Sequence, residues 1–177
     1  MADWPNTFLE NLNAQRKADP GRTVFGSEYH QYTLNLPVSE PLLAEAEDRY
    51  GCKFPADYRR YLLEIADGGA GPGLGIFSLA KAVELSDSLR DFPFQTEYSF
   101  YPSNDGPYCY DDLHNGSLVL SHYGCSMFAM LIVRGESGSQ IWYDGEDYVK
   151  PLASNFSEWI VEWATSATTN LGASPAG

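Results

Sequence analysis

The spacing of apolar residues changes twice along the chain, and this order of patterns limits the folds that it can adopt. Helical spacing recurs over residues 39–69, short extended runs follow over residues 118–143, and helical spacing returns after Asn155. Helices that precede and follow a group of strands are typical of the α+β class. We therefore predict one α+β domain with a largely antiparallel sheet and with helices packed on one side of it.

Two helices are predicted ahead of the strands. The first begins after Ser39, which can cap it, and ends at Gly51. The second begins at Pro55, carries Asp57 where the helix dipole favours an acid, and ends at residues 67–69. The predicted apolar face of the first helix consists of Leu42, Leu43, Ala46 and Tyr50.

The extended runs predict an antiparallel meander over residues 118–121, 127–133 and 140–143. A further short strand is predicted at residues 76–79, followed by a helical turn at residues 80–85. The last helix starts at Asn155, which stands three residues before Glu158 as in a capping box.

Residues 37–166 form the predicted domain, between an N-terminal extension at residues 1–36 and a flexible tail at residues 167–177. The extension contains one short amphipathic pattern around Phe8. The chain has neither an apolar run of about eighteen residues nor a basic and apolar leader, so we expect a cytoplasmic protein. An odd number of cysteines favours reduced thiols over a disulfide framework.

Charge excludes several kinds of partner. The net charge is −13, which repels nucleic acid and anionic membranes and attracts basic proteins. Residues 91–177 carry −9 of this charge, and their only bases are Arg134 and Lys150. Either a role in binding a basic protein or plain solubility explains such a surplus.

The first helix pair carries a family motif. Residues 51–63 read GCKFPADYRRYLL and lead to Asp67-Gly68-Gly69, and this order resembles the SUKH superfamily, which includes fungal cell-wall assembly regulators of the Smi/Knr type. Asp67 stands where the family usually has Asn. The later segments Leu118-Val119-Leu120 and Ile141-Trp142-Tyr143-Asp144 also match, so the resemblance covers residues 38–164.

The resemblance implies a function as well as a fold. SUKH domains have no established catalytic residues and are widespread in bacteria as immunity proteins encoded beside polymorphic toxins, many of them nucleases or deaminases. We therefore expect a monomeric protein without enzymatic activity or cofactor, which neutralises a toxin, of the nuclease type, by occluding its basic surface. The alternative is a regulatory scaffold of the cell-wall assembly regulator type.

The predicted contact surface lies where acids and aromatic residues alternate. Residues 91–133 contain no Lys or Arg, and seven phenylalanines and tyrosines lie between Phe92 and Tyr110. Tyrosine supplies apolar area with a polar tip, and carboxylates attract bases. In the other interpretation these aromatic side chains fill a second small core and the acids only face water. The predicted contact residues are Glu97, Asp105, Tyr108, Tyr110, Asp111, Asp112, Asp144, Glu146 and Asp147.

Other chemistry finds weaker support in the sequence. Cys109, His114, His122 and Cys125 are zinc-ligand types, but structural zinc sites show tighter paired spacing, so we predict no metal and leave open whether the four converge. Cys125 lacks the second glycine of a hydrolase nucleophile turn. The acidic turn at residues 144–147 lacks the twelve-residue pattern of a calcium loop.

Overall fold

The computed structural model of this chain describes residues 3–86, 89–100 and 108–172, with the backbone alone for Tyr110 and residues 167–172. The α+β class is confirmed. The helices are α1 (Trp4–Ala18), α2 (Ser27–His30), α3 (Glu40–Tyr50), α4 (Ala56–Arg60), α5 (Leu79–Leu85) and α6 (Phe156–Gly172). The strands are β1 (Tyr98–Ser99), β2 (Ser117–Gly124), β3 (Met127–Ile132), β4 (Ile141–Asp144) and β5 (Tyr148–Ala153).

The strands form one antiparallel sheet in the order β1-β5-β4-β3-β2. The predicted meander of β2, β3 and β4 is confirmed, whereas β5 was not predicted. The predicted strand at residues 76–79 was wrong, because among the described residues this segment reaches the sheet only through an isolated bridge from Ile76 to Ser121. Ser78 instead caps helix α5 by accepting a hydrogen bond from the Lys81 amide, which starts the helix at Leu79.

Both faces of the sheet are covered, because its side chains alternate between two cores. The first core lies under the helices, and the second lies under the aromatic segment that precedes β2. The sheet residues of the helix-side core are Leu118, Leu120, Ala129, Leu131 and Ile141. Those of the opposite core are Val119, Met130, Ile132, Trp142 and Val149.

Helix α3 buries a carboxylate in its core-facing stripe. Leu43, Ala46 and Tyr50 are buried as predicted, but Leu42 is 57% exposed and Glu47, with a side chain that is 1% exposed, completes the stripe. Burial alone would raise the pKa of Glu47, yet hydrogen bonds from Arg59, Lys53 and the Phe54 amide lower it. Neutralisation by these donors makes a buried acid tolerable at this position.

Asp57 of the family motif joins two helices. Its Oδ2 accepts a hydrogen bond from the Ser157 amide at 2.8 Å, in the first turn of α6, and its Oδ1 accepts one from the Tyr58 amide. Asn155 Oδ1 accepts a further bond from the Glu158 amide at 2.8 Å, which confirms its capping role. Asp57 therefore holds the first turns of α4 and α6 together, and the dipoles of both helices favour its negative charge.

The segment before residue 37 packs into the core of the domain. Phe8 of α1 is fully buried, and Gln15 donates a hydrogen bond to the Ala164 carbonyl at 2.6 Å. The ring of Trp4 meets that of Phe156 edge-on, with centroids 6.4 Å apart. Helix α1 therefore lies along α6, which extends to Gly172 and so runs past the predicted start of the tail.

Candidate partner-binding surface

The turn between β4 and β5 presents two carboxylates to solvent. Asp144 ends β4 with a side chain that is only 1% exposed, and its Oδ1 accepts a hydrogen bond from the Glu146 amide at 2.8 Å. This bond holds a turn in which Glu146 has a left-handed φ of 73°. Glu146 and Asp147 are exposed. Asp144 thus shapes the turn from inside, while its two neighbours face outward.

A second acidic turn precedes β2. Asp112 Oδ2 accepts hydrogen bonds from the Cys109 amide at 3.1 Å and the Cys109 thiol at 3.2 Å, and Oδ1 accepts one from Asn115 at 3.1 Å. These bonds, the Cys109 amide first, lower the pKa of Asp112 and keep it ionised. Asp111 is exposed beside it. The turn therefore carries two adjacent acidic side chains, of which Asp112 forms an ion pair with Arg90 at 3.4 Å.

His114 connects these two acidic turns. Its Nε2 lies 3.0 Å from Asp144 Oδ2, and its ring meets Phe128 edge-on with centroids 6.2 Å apart. The imidazole is partly exposed and the carboxylate is buried. The contact places the turn of Asp111 and Asp112 beside the β4–β5 turn, thirty residues further along the chain.

Glu97 reaches the same part of the molecule along the edge of the sheet. It directly precedes β1, whose Tyr98 lies opposite Val149 of β5. The Phe100 amide then donates a hydrogen bond to the Asp147 carbonyl at 2.8 Å. Glu97 is itself exposed, so it adds a further carboxylate to this edge.

Tyr108 lies between the aromatic core and the surface. Its half-buried ring packs against Phe94 and Tyr98, with centroids 4.9 and 5.4 Å away. Phe92 packs on Trp142 and Phe94 packs on Phe92, so these buried phenylalanines fill a second core, as one of the two interpretations of the sequence has it. The aromatic segment thus supports the acidic turns from beneath.

The structure brings most of the predicted contact residues to one end of the sheet. Asp105 lies outside the described residues, as does the side chain of Tyr110, and Asp144 faces inward. Sequence patterns could not separate Asp144 from its exposed neighbours, because its burial depends on the distant His114. We define the acidic surface as Glu97, Asp111, Asp112, Glu146 and Asp147.

The four zinc-ligand types do not come together. Cys109 bonds Asp112, His114 bonds Asp144, and His122 stacks on Phe128 with ring centroids 4.9 Å apart. Cys125 is exposed in the β2–β3 turn. Within residues 3–86, 89–100 and 108–172, no three or more His, Cys, Asp or Glu side chains are grouped to hold a metal ion.

Sequence reasoning missed a group of tyrosines on the helix side of the sheet. Tyr143 lies opposite Ala129 of the helix-side core, and its half-buried ring contacts those of Tyr123 and Tyr148, with centroids 5.7 and 6.0 Å away. Recognition of β5 would have revealed them, because alternation puts Tyr148 and Lys150 on one face of a strand. We call Tyr123, Tyr143 and Tyr148 the tyrosine stripe.

An apolar groove of about 300 Å³ between α3 and α5 was also missed. Its walls include Leu42, Ala46 and Val83, and Glu45 and Arg49 contribute charges. Leu42 lines this groove and is exposed, whereas the predicted apolar face of α3 had placed it in the core.

Comparison with protein families connects this architecture with a known group. The SMI1 / KNR4 family (SUKH-1) matches residues 37–162, which is more than half of the chain. The chain belongs to this family. The SUKH-1 region begins just before α3 and ends inside α6, so α1 and α2 lie outside it and pack on it. The acidic surface and the tyrosine stripe both lie within the SUKH-1 region.

Two further comparisons concern relatives and membranes. No curated protein matches the chain. In the part of the SUKH-1 protein that the structure describes, no helix has both the length and the apolar character needed to cross a membrane.

Proposed function

We propose that this SUKH-1 protein is an immunity protein that neutralises a toxin by covering the toxin's basic surface with its own acidic surface. Family membership is consistent with that role. The observation that carries the proposal is the state of four carboxylates. Within the described residues, Glu97, Asp111, Glu146 and Asp147 are exposed and form no ion pair. Their charge is therefore available to a partner.

Electrostatics favour a nuclease-type toxin as this partner. A protein that binds nucleic acid neutralises phosphates with Lys and Arg, so its active cleft is basic. Exposed carboxylates steer such a surface into contact and speed association, and salt weakens the attraction. Asp144 and Asp112 keep the two turns in shape, which lowers the entropic cost of binding.

Occlusion needs contact area and complementary charge but no chemical step. A stable complex buries about 800 Å² on each partner. Inhibition then follows from exclusion of the nucleic acid from the toxin's cleft.

The first experiment asks whether the protein protects. It is co-expressed with the C-terminal toxin domain that we expect the adjacent gene to encode, and survival and complex formation are measured. We expect rescue of growth and recovery of a stoichiometric complex. Continued toxicity without a complex would refute the proposal.

Charge reversal then tests the surface. The triple variant Glu97→Lys, Glu146→Lys and Asp147→Lys should lower the association rate with this toxin domain by at least about tenfold at low salt. The control Glu10→Lys, Glu28→Lys and Asp48→Lys changes the net charge equally, at exposed positions outside the acidic surface. It should alter the rate by about twofold. Equal effects of both triples would show that net charge acts without this surface.

A further inference from the structure

The tyrosine stripe already holds a cation of the protein itself. The Lys150 ammonium lies 5.4 Å from the centroid of the Tyr148 ring and 6.0 Å from that of Tyr143. Tyr143 and Lys150 are direct partners in the pairing of β4 with β5. These distances are those at which a ring face attracts a positive charge. Within the described residues Lys150 forms no ion pair, so the rings are its electrostatic partners.

Two rings of the stripe are held by hydrogen bonds. The Tyr143 hydroxyl donates a hydrogen bond to Met127 Sδ at 2.8 Å, and Tyr123 is hydrogen-bonded to Trp159 of α6. Burial raises the pKa of Tyr123 to about 12 and that of Tyr143 above its ordinary value, so both phenols are neutral at physiological pH. Rigid aromatic side chains with polar tips are typical of residues that contribute most to binding.

Carboxylates border the stripe. Glu146 and Asp147 lie in the turn that joins Tyr143 to Tyr148, and Asp147 directly precedes Tyr148 in the chain. A cation above the rings therefore has aromatic faces beneath it and negative charges in the adjoining turn. The stripe faces the helix side of the sheet and shares this turn with the acidic surface.

We propose that the tyrosine stripe is an arginine-binding part of the partner interface, where a guanidinium of a basic protein partner replaces the Lys150 ammonium above Tyr143 and Tyr148. The inference rests on the proposed function and names the side chain that the interface recognises. Arginine fits better than lysine, because its planar guanidinium stacks on a ring and forms paired hydrogen bonds with a carboxylate. Lys150 keeps the site occupied in the free protein and leaves on its flexible stem when the partner binds.

The direct test uses small probes. N-acetyl-arginine amide and N-acetyl-lysine amide are titrated into the full chain, and the ring resonances of Tyr143 and Tyr148 are followed by NMR. We expect saturable shifts at both rings and an affinity about threefold higher for the arginine probe. Unmoved rings, or equal affinities, would overturn the inference.

The variant Lys150→Ala gives a result that a purely structural role of Lys150 would not produce. Removal of the resident ammonium should raise the affinity for the arginine probe by about two- to fivefold, since the site no longer has an internal competitor. Tyr148→Leu keeps an apolar side chain on β5. Added to Lys150→Ala, it should abolish the gain in affinity for the arginine probe. Reduced arginine affinity in Lys150→Ala would contradict the proposal.

The toxin complex separates this inference from the proposed function. If Lys150→Ala tightens the complex and Tyr148→Leu weakens it, both stand. If the complex forms but neither variant changes its affinity, or Lys150→Ala weakens it, the arginine site is wrong and the immunity role is unaffected. Absence of any complex with the unmodified protein refutes the proposed function, whereas the probe titration still decides whether the rings bind arginine.

Discussion

His30 is a titratable side chain enclosed by aromatic rings. It is 6% exposed, and its ring meets Tyr32 and Trp163 edge-on with centroids 5.3 and 5.8 Å away. Its Nδ1 accepts a hydrogen bond from the Tyr32 amide, which requires a neutral acceptor nitrogen. Burial lowers the pKa of His30 from 6.5 to about 4.

This residue predicts a loss of stability in mild acid. Between pH 6.5 and about 4 the unfolded chain binds a proton at His30 that the folded chain does not, so stability falls as pH falls through this window. The full difference is about 3 kcal/mol. Urea unfolding at pH 7.0 and 4.5 measures the change, and an NMR titration of the His30 ring should have its midpoint near pH 4.

The carboxylates do not account for this window. Glu47 and Asp19 have pKa values below their ordinary 4.5 and 3.8, so their stabilising effect is complete above pH 4.5 and declines only in stronger acid. His30→Gln should therefore flatten the stability profile between pH 4.5 and 6.5. An unchanged slope in that variant would contradict the assignment to His30.

Glu47 shows what residue patterns reveal and what they omit. The spacing of Leu43, Ala46 and Tyr50 predicted the buried face of α3, because local periodicity alone sets which side chains share it. It could not place Glu47 in the same stripe and Leu42 outside it. That exchange depends on Arg59, which reaches Glu47 from the next helix.

At the level of elements, a glycine allows the loop before α5 to approach the sheet closely. A Cβ at Gly73 would lie 2.5 Å from the His122 carbonyl oxygen and 2.6 Å from Ser121 Oγ, at a φ of 64°. Gly124, with a φ of 91°, has no such neighbour within 4 Å. The two positions share a positive φ and differ in the space around them.

We expect Gly73→Ala to destabilise the protein by about 3 kcal/mol, because it combines backbone strain with a steric clash. Gly124→Ala is the matched control and should cost about 1 kcal/mol through strain alone. Urea unfolding of both variants measures the difference. Equal losses of stability in the two variants would contradict the prediction, because they would mean that the loop relaxes around the added methyl group at no extra cost.

Strand β5 marks the limit of element prediction. Pro151 and Lys150 are uncommon in central strands, so the local pattern does not indicate a strand there. The structure resolves the conflict, because β1 pairs only with Tyr148 and Val149 among the described residues and Pro151 lies beyond it. At that point β5 has become an edge, where a missing amide donor is tolerated.

For the whole molecule, the contact of α1 with α6 predicts that residues 1–36 contribute to stability. Phe8 is fully buried and Leu12 is 5% exposed, and each contributes about 2 kcal/mol or more by burial. A chain that begins at residue 37 should therefore lose at least about 4 kcal/mol in urea unfolding. The double variant Phe8→Ala and Leu12→Ala should produce most of this loss. A truncated chain of undiminished stability would contradict the packing.

Composition predicted the location of the candidate surface better than its detail. The absence of Lys and Arg from residues 91–133 pointed to the turn of Asp111 and Asp112, because charge is readable without a fold. The contact of His114 with Asp144 and the tyrosine stripe depend on strand pairing between distant segments. These parts of the site could be recognised only after β5 had been placed.

The pairing of the first helix with the last also governs when the protein can finish folding. Helix α1 leaves the ribosome before α6, yet Gln15 bonds Ala164, which is synthesised 149 residues later, and Trp4 packs on Phe156. Contacts between segments so distant along the chain form late in folding. The helix-side core is therefore complete only after α6 has been translated. A partly translated chain does not yet present the folded domain to any partner.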